Sequence, residues 1–178
     1  AEGRAAVEDA AHRLAGAGAS VTVLDLPAAL FATWGVAHRR IFAFETVRNL
    51  GHERHRARGL ISAGLRDDLL TEGEAMPLGD FVAAQRQAEA MRAWADDALA
   101  RFDAVLTLPA AGEAPEGLAA TGSATFNSLW TLLHVPCLTL PCGTGAKGLP
   151  LGLQLVGARH EDERLFAAAH RVERMLAG

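Results

Sequence analysis

Apolar positions follow a helical period through most of the first hundred residues. Val7, Ala10, Leu14 and Ala17 recur on one helix face, which predicts a helix from about residue 2 to 17, stopped by Gly16 and Gly18. The run Val21-Thr22-Val23-Leu24-Asp25-Leu26, closed by Pro27, reads as a buried strand. A long helical stretch follows, with Phe31, Trp34, Ile41, Phe44 and Val47 near one face, ending in the polar run Gly51 to Arg56. Residues 60–70 read as a shorter helix. Pro77 opens a long one, whose stripe is Phe81, Ala84, Ala88, Met91, Ala95, Ala98 and Phe102.

Beyond residue 102 the period shortens. Asp103 to Pro109 reads as a second buried-type strand, and residues 110–121, rich in Ala, Gly and Pro, as an irregular loop. A short apolar helix over Ala124 to Leu133 leads to a third strand, Val135 to Cys142. Gly143 to Gly148 links it to a fourth, Leu149 to Gly157. Glu161 and Asp162 suit the first turn of a last helix, with Leu165, Ala169, Val172 and Leu176 inward. Strands alternating with helices give an α/β class, read as one domain piece over 1–178 with no internal boundary. The last two strands form either a hairpin-like pair or non-neighbouring members of a mixed sheet.

Composition narrows the partners. Half of the residues are apolar and the formal charge is only -4, which gives no reason to expect nucleic acid, a membrane surface or a polyanion. Cys137 and Cys142, five positions apart in a strand, leave opposite faces. That argues against a disulfide between them and agrees with a cytoplasmic setting. The chain opens Ala1-Glu2-Gly3 without Met, as expected of a piece of a longer polypeptide or of a processed one.

Several motifs carry less than they first suggest. Gly143-Thr144-Gly145-Ala146-Lys147-Gly148 fits G-x-G-x-x-G, but a dinucleotide site needs a helix to start there, and Leu149 to Val156 reads as a strand. Lys147 precedes Gly148 rather than Ser or Thr, so the stretch is no phosphate loop. His52 and His55, one helical turn apart beside Glu53, have metal-ligand spacing, yet Arg54, Arg56 and Arg58 would repel a cation. Cys137 is expected to be a buried, inert thiol, and Cys142, although it could be exposed, has no His close in sequence. His134 faces a pocket or ends the short helix. Asp25 and Asp103 read as strand-edge and capping residues. No metal, cofactor or complete catalytic constellation emerges.

The C-terminal third carries a specific resemblance. Phe126-Asn127-Ser128-Leu129-Trp130-Thr131-Leu132-Leu133-His134-Val135-Pro136-Cys137-Leu138-Thr139-Leu140-Pro141-Cys142-Gly143, followed by Gly148-Leu149-Pro150-Leu151-Gly152-Leu153-Gln154-Leu155-Val156-Gly157, resembles the C-terminal region of amidase-signature enzymes. The upstream parts agree in order, including the strand from Phe102 to Pro109 and a loop with Ala114-Pro115. The resemblance implies the C-terminal part of the amidase-signature fold, a mixed β-sheet covered by helices. It also implies a parent enzyme that hydrolyses a linear carboxamide to carboxylate and ammonia or amine.

Such enzymes use a serine nucleophile, a second serine held by a cis peptide, a lysine base and backbone N–H donors for the oxyanion, because serine attacks only once its proton is removed. Those residues belong to a Gly-Gly-Ser-Ser-type stretch that this sequence does not contain. Lys147, the one lysine, falls in a variable glycine-rich loop where a solvated amine is a poor base. The chain alone is therefore expected to be inactive, with no catalytic residue of its own.

The resemblance suggests Thr121, Gly122, Phe126, Trp130 and His134 as substrate-binding residues, each equally plausible as a cap, turn or core residue. Ala124 stands near where amidotransferase members carry Asp, Thr131 where Asn is frequent, and His134 where Gly is frequent. Trp130 and His134 would make the pocket wall bulkier and more polar. The expected partner is a small-molecule amide in the complete enzyme, with self-association of this piece into a homo-oligomer through exposed faces. Two other readings remain: a non-catalytic partner- or ligand-binding module, and the amide-transferring subunit of a tRNA-dependent amidotransferase.

Overall fold

The computed structural model describes residues 2–177. By their contacts they fall into two units, one of residues up to Leu26 and from Arg92 onward, the other Pro27–Met91.

The first unit is built on three strands, β1 (Val105–Thr107), β2 (Cys137–Thr144) and β3 (Pro150–Val156), in the order β1-β3-β2. Both pairings are antiparallel: Leu106 lies opposite Leu155, and Leu155 opposite Leu138. The last two strands are therefore the hairpin-like pair, and the described residues form an antiparallel portion of the expected sheet. β3 sits in the middle, and its Leu153, Leu155 and Val156 are fully buried. That explains why its sequence is a continuous apolar run and not an alternation. Gly152 is required there, since a Cβ would lie 2.7 Å from Thr139 Cγ2 and 2.8 Å from Pro109 Cγ. β2 alternates half-buried Leu138, Leu140 and Cys142 with exposed Cys137, Thr139 and Pro141, and its register breaks between Pro141 and Thr144.

Helices cover this sheet. α1 (Glu2–Gly16) buries Ala10 and Leu14. α7 (Thr125–Leu133) buries Leu129, Trp130, Leu132 and Leu133. α8 (Asp162–Ala177) presents Leu165, Ala169 and Val172 to Leu155, Leu138, Leu140 and Leu106. Asp162 and Glu163 occupy its first turn, where the helix dipole favours them.

The second unit contains α2 (Ala28–Phe31), α3 (Trp34–Asn49), α4 (Gly51–Arg56) and α5 (Thr71–Ala75), with the start of α6 (Leu78–Leu99). Gly73 lets α5 approach α3 closely: a Cβ would stand 2.3 Å from the Ala43 carbonyl oxygen. Phe44 of α3 stacks on Phe81 of α6, ring centroids 4.0 Å apart. Glu74 of α5 accepts hydrogen bonds from Arg54 and Arg58, which hold its carboxyl down at about 2. Of the stripe expected on α6, Ala84, Ala88, Met91, Ala95 and Ala98 are buried, Phe81 is half-buried, and Phe102 lies beyond the end of the helix.

Four sequence expectations need correction. Residues 21–26 form no strand. They carry no regular secondary structure, with Val21 and Val23 exposed, and among the described residues no backbone group of Ser20–Leu26 is paired with another backbone group. A strand needs a ladder as well as β-branched residues. The shorter helix predicted over 60–70 is instead a 3-10 turn at Arg58–Leu60 and a π-helical segment, Leu65–Leu70, running into α5. The long helix is broken around Thr33 and Leu50 into α2, α3 and α4. The second strand contracts to Val105–Thr107, while the third extends through Gly143 to Thr144. No helix is long and apolar enough to cross a membrane among the described residues.

Candidate functional site

The region singled out by the resemblance gathers around α7. Ser123 sets its start: its Oγ accepts from the Thr125 N–H at 3.2 Å and lies 2.6 Å from Thr125 Oγ1. Ser128 Oγ donates to the Ala124 carbonyl at 2.9 Å, so both serines of this segment serve the start of the helix. Thr121 and Gly122 precede the helix on the exposed loop, Gly122 in a left-handed conformation (φ 87) with Pro115 beside it. Phe126 is half-buried. Trp130, one turn on, is 8% exposed and belongs to the core. His134 ends the helix in a left-handed conformation (φ 57), its N–H donating to the Thr131 carbonyl at 3.2 Å. Helix termination is the role that geometry gives it. Phe126 and Trp130 are thus one turn apart on α7, while Thr121, Gly122 and His134 lie exposed beyond its two ends.

Sequence reasoning did not single out the pair that ties α7 to the sheet. Gln154, 3% exposed in the middle of β3, donates through Nε2 to Asn127 Oδ1 at 2.7 Å. Asn127 Nδ2 in turn donates to the Pro109 carbonyl at 2.9 Å. That last bond fixes both amide orientations, since a carbonyl accepts only from the NH2 end. Gln154 Oε1 is left buried and without a hydrogen-bond partner among the described residues. The signal available in the sequence was one polar residue inside an otherwise apolar strand.

The glycine-rich link does bind an anion, and the anion is its own. Glu113 accepts from the Lys147 N–H at 3.0 and 3.1 Å and from the Leu149 N–H at 2.8 Å. A Cβ on Gly145 would stand 2.4 Å from Glu113 Cγ. Convergent main-chain donors form a nest for negative charge, and here Glu113, reaching in from the loop after β1, fills it. A dinucleotide pyrophosphate would have to displace that carboxylate, and β3, not a helix, follows.

The remaining candidates are dispersed. Lys147 Nζ lies 3.7 Å from Glu116 Oε2, with the side chain 69% exposed. Cys137 is exposed, correcting the buried position expected of it, although crowding around its sulfur pushes the thiol up to about 11. Exposure sets what can reach that sulfur, and the pKa keeps it protonated. Cys142 is half-buried, its pKa also raised by burial. His52 and His55 are exposed on α4. Asp103 pairs with Arg171 at 3.2 Å and Arg164 at 4.0 Å.

No family model matches the chain. It is similar to a glutamyl-tRNA(Gln) amidotransferase subunit of Methylorubrum populi, 40% identical over 81 residues, which are 40% of this chain and 16% of that relative. The corresponding subunit of Allorhizobium ampelinum is 48% identical over 48 residues, 27% of this chain and 10% of the relative. Among solved structures, an amidase superposes with TM-score 0.80 at 28% identity, covering 94% of this chain and 40% of its own length. A bacterial aryl acylamidase of the amidase-signature family shares the fold, with TM-score 0.77, 20% identity and coverage of 98% and 40%.

Proposed function

We propose that this chain, which is similar over 94% of its length to a solved amidase and spans about 40% of it, is the non-catalytic part of an amidase-signature enzyme that hydrolyses a linear carboxamide. The observation that carries the proposal is the superposition on that amidase over 94% of the chain, combined with the absence of a Gly-Gly-Ser-Ser stretch from the sequence. In the complete protein, this part contributes the α7 wall of the substrate pocket and three strands of the sheet. Thr121, Gly122, Phe126 and His134 stand along or beside α7, while Trp130 holds the helix in place from the core.

Among the described residues, no serine is within hydrogen-bond reach of a lysine amine. Ser123 and Ser128 are engaged at the start of α7, and the only lysine side chain is at the surface near Glu116. A serine becomes a useful nucleophile only with a positioned base within hydrogen-bond reach. Two free cysteines agree with a cytoplasmic setting, and the unpaired segment 20–26 with self-association. The proposal is tested by assaying the chain and the complete parent protein against small primary and aryl amides. The parent is expected to turn over at least one amide and the chain none. Saturable turnover by the chain, abolished by changing one of its own side chains, would overturn the proposal. In the parent, His134→Gly is expected to change which amides are accepted.

A second reading, the amide-transferring subunit of a tRNA-dependent amidotransferase, has the support of the relatives at 40% and 48% identity. Ala124 counts against it, standing near where the resemblance expects an Asp. Glutamine-dependent amide transfer by the complete protein with its partner subunits would favour this reading.

A further inference from the structure

We propose that a half-open cavity of about 490 Å3 lined by α1, the segment after it, β1 and α8 binds a medium-chain monocarboxylate, tail inward and head group on Arg101. Leu14, Leu106, Leu155, Ala168, Val172 and Met175 line its interior, of which Leu14, Leu155 and Ala168 are almost wholly buried. A volume of this size falls within the roughly 300–1,000 Å3 typical of ligand pockets, which combine apolar walls with a few placed polar groups. The polar side chains lining it are Ser20, Thr22, Arg101, Asp103 and Arg171. Ser20 and Thr22 contribute hydroxyls, together with main-chain N–H groups that no backbone carbonyl occupies among the described residues.

Arg101 decides the charge of the ligand. Its guanidinium lies 6.0 Å from the centroid of the Phe102 ring, and its one hydrogen bond is a long one, 3.5 Å from Nε to the Ala98 carbonyl. Among the described residues no carboxylate lies within ion-pair distance of it. Asp103, the only acidic residue lining the cavity, is held by Arg171 at 3.2 Å and approached by Arg164 at 4.0 Å. A cationic ligand would meet Arg101 and Arg171 at the mouth. A polyanion would find one uncommitted guanidinium, because Arg171, the other cation lining the cavity, is paired with Asp103. A single carboxylate matches the fork of Arg101, and an unbranched hydrocarbon matches the apolar interior.

Isothermal titration of the chain with octanoate, nonanoate and decanoate, each below its micellar concentration, tests this with decanol as the uncharged comparison. Saturable 1:1 binding is expected, tightening about fourfold per added methylene, with decanol at least about tenfold weaker than decanoate. Arg101→Gln at the exposed mouth should weaken decanoate about tenfold and leave decanol unchanged, while Arg4→Gln, on the solvent side of α1, changes neither. Ala168→Phe, with folding verified by circular dichroism, should abolish binding by filling the interior. Equal affinity for decanol and decanoate, wild-type affinity in Arg101→Gln, or no saturable binding of decanoate would each overturn the proposal.

Discussion

His134 occupies a backbone conformation that glycine adopts freely and other residues at a cost of about 1–2 kcal/mol. Glycine gives back about 0.5–1 kcal/mol through its greater freedom in the unfolded chain. His134→Gly is therefore expected to stabilise the chain by about 0.5 kcal/mol, read as a rise in urea midpoint. The same geometry explains the frequent glycine at this position that the resemblance implied. Asn127→Ala should cost about 1–3 kcal/mol, because it leaves the buried Gln154 amide and the Pro109 carbonyl without their partner. Cys137, reachable but protonated, should alkylate slowly with iodoacetamide at pH 8, its rate rising about tenfold per pH unit until pH approaches about 11. Pattern made the buried alanines of α6 legible, whereas Gln154 and Asn127 were not, since their value lies in a contact across 27 positions that spacing does not encode.

At the scale of elements, helices were easier to read than strands because each carries its hydrogen bonds within itself. The 2–17 helix and the last helix were legible to within a residue or two. Val21-Thr22-Val23 has strand composition and no partner, so composition misled. The glycine-rich link was readable as a connection, but its filling by Glu113 was not, because residue 113 lies in a loop that has no period. Gly145→Ala should expel the Glu113 carboxylate and expose residues 110–124 to limited proteolysis, and Glu113→Ala should do the same at about 1–2 kcal/mol. In the second unit, the grip of Arg54 and Arg58 lowers the Glu74 carboxyl from 4.5 to about 2. A depressed carboxyl stabilises the folded form above its unfolded value and loses that contribution as pH falls through the folded one. The stability difference between wild type and Glu74→Gln should accordingly be full at pH 6 and shrink between about pH 4.5 and 2.

At the scale of the whole molecule, what was legible was kinship: two ordered motifs pointed to amidase-signature enzymes, and the chain superposes on a solved amidase over 94% of its length. The two contact units were not legible, because no Pro- or Gly-rich linker marks them and α6 is a continuous helix across the division at Met91. Self-association through exposed faces should appear as a sedimentation coefficient that rises with concentration.

The break in β2 limits how far such association can proceed. Fibril growth needs a long, regular template whose donors and acceptors repeat on both flanks of the sheet. On the β2 flank that repeat is interrupted twice, by Pro141, which has no N–H to offer, and by the register shift that follows it. Any added strand therefore finds a usable rail only along the opposite flank, where β1 is three residues long. Any self-association is therefore expected to stop at small closed species, and concentrated samples should stay dark to thioflavin T.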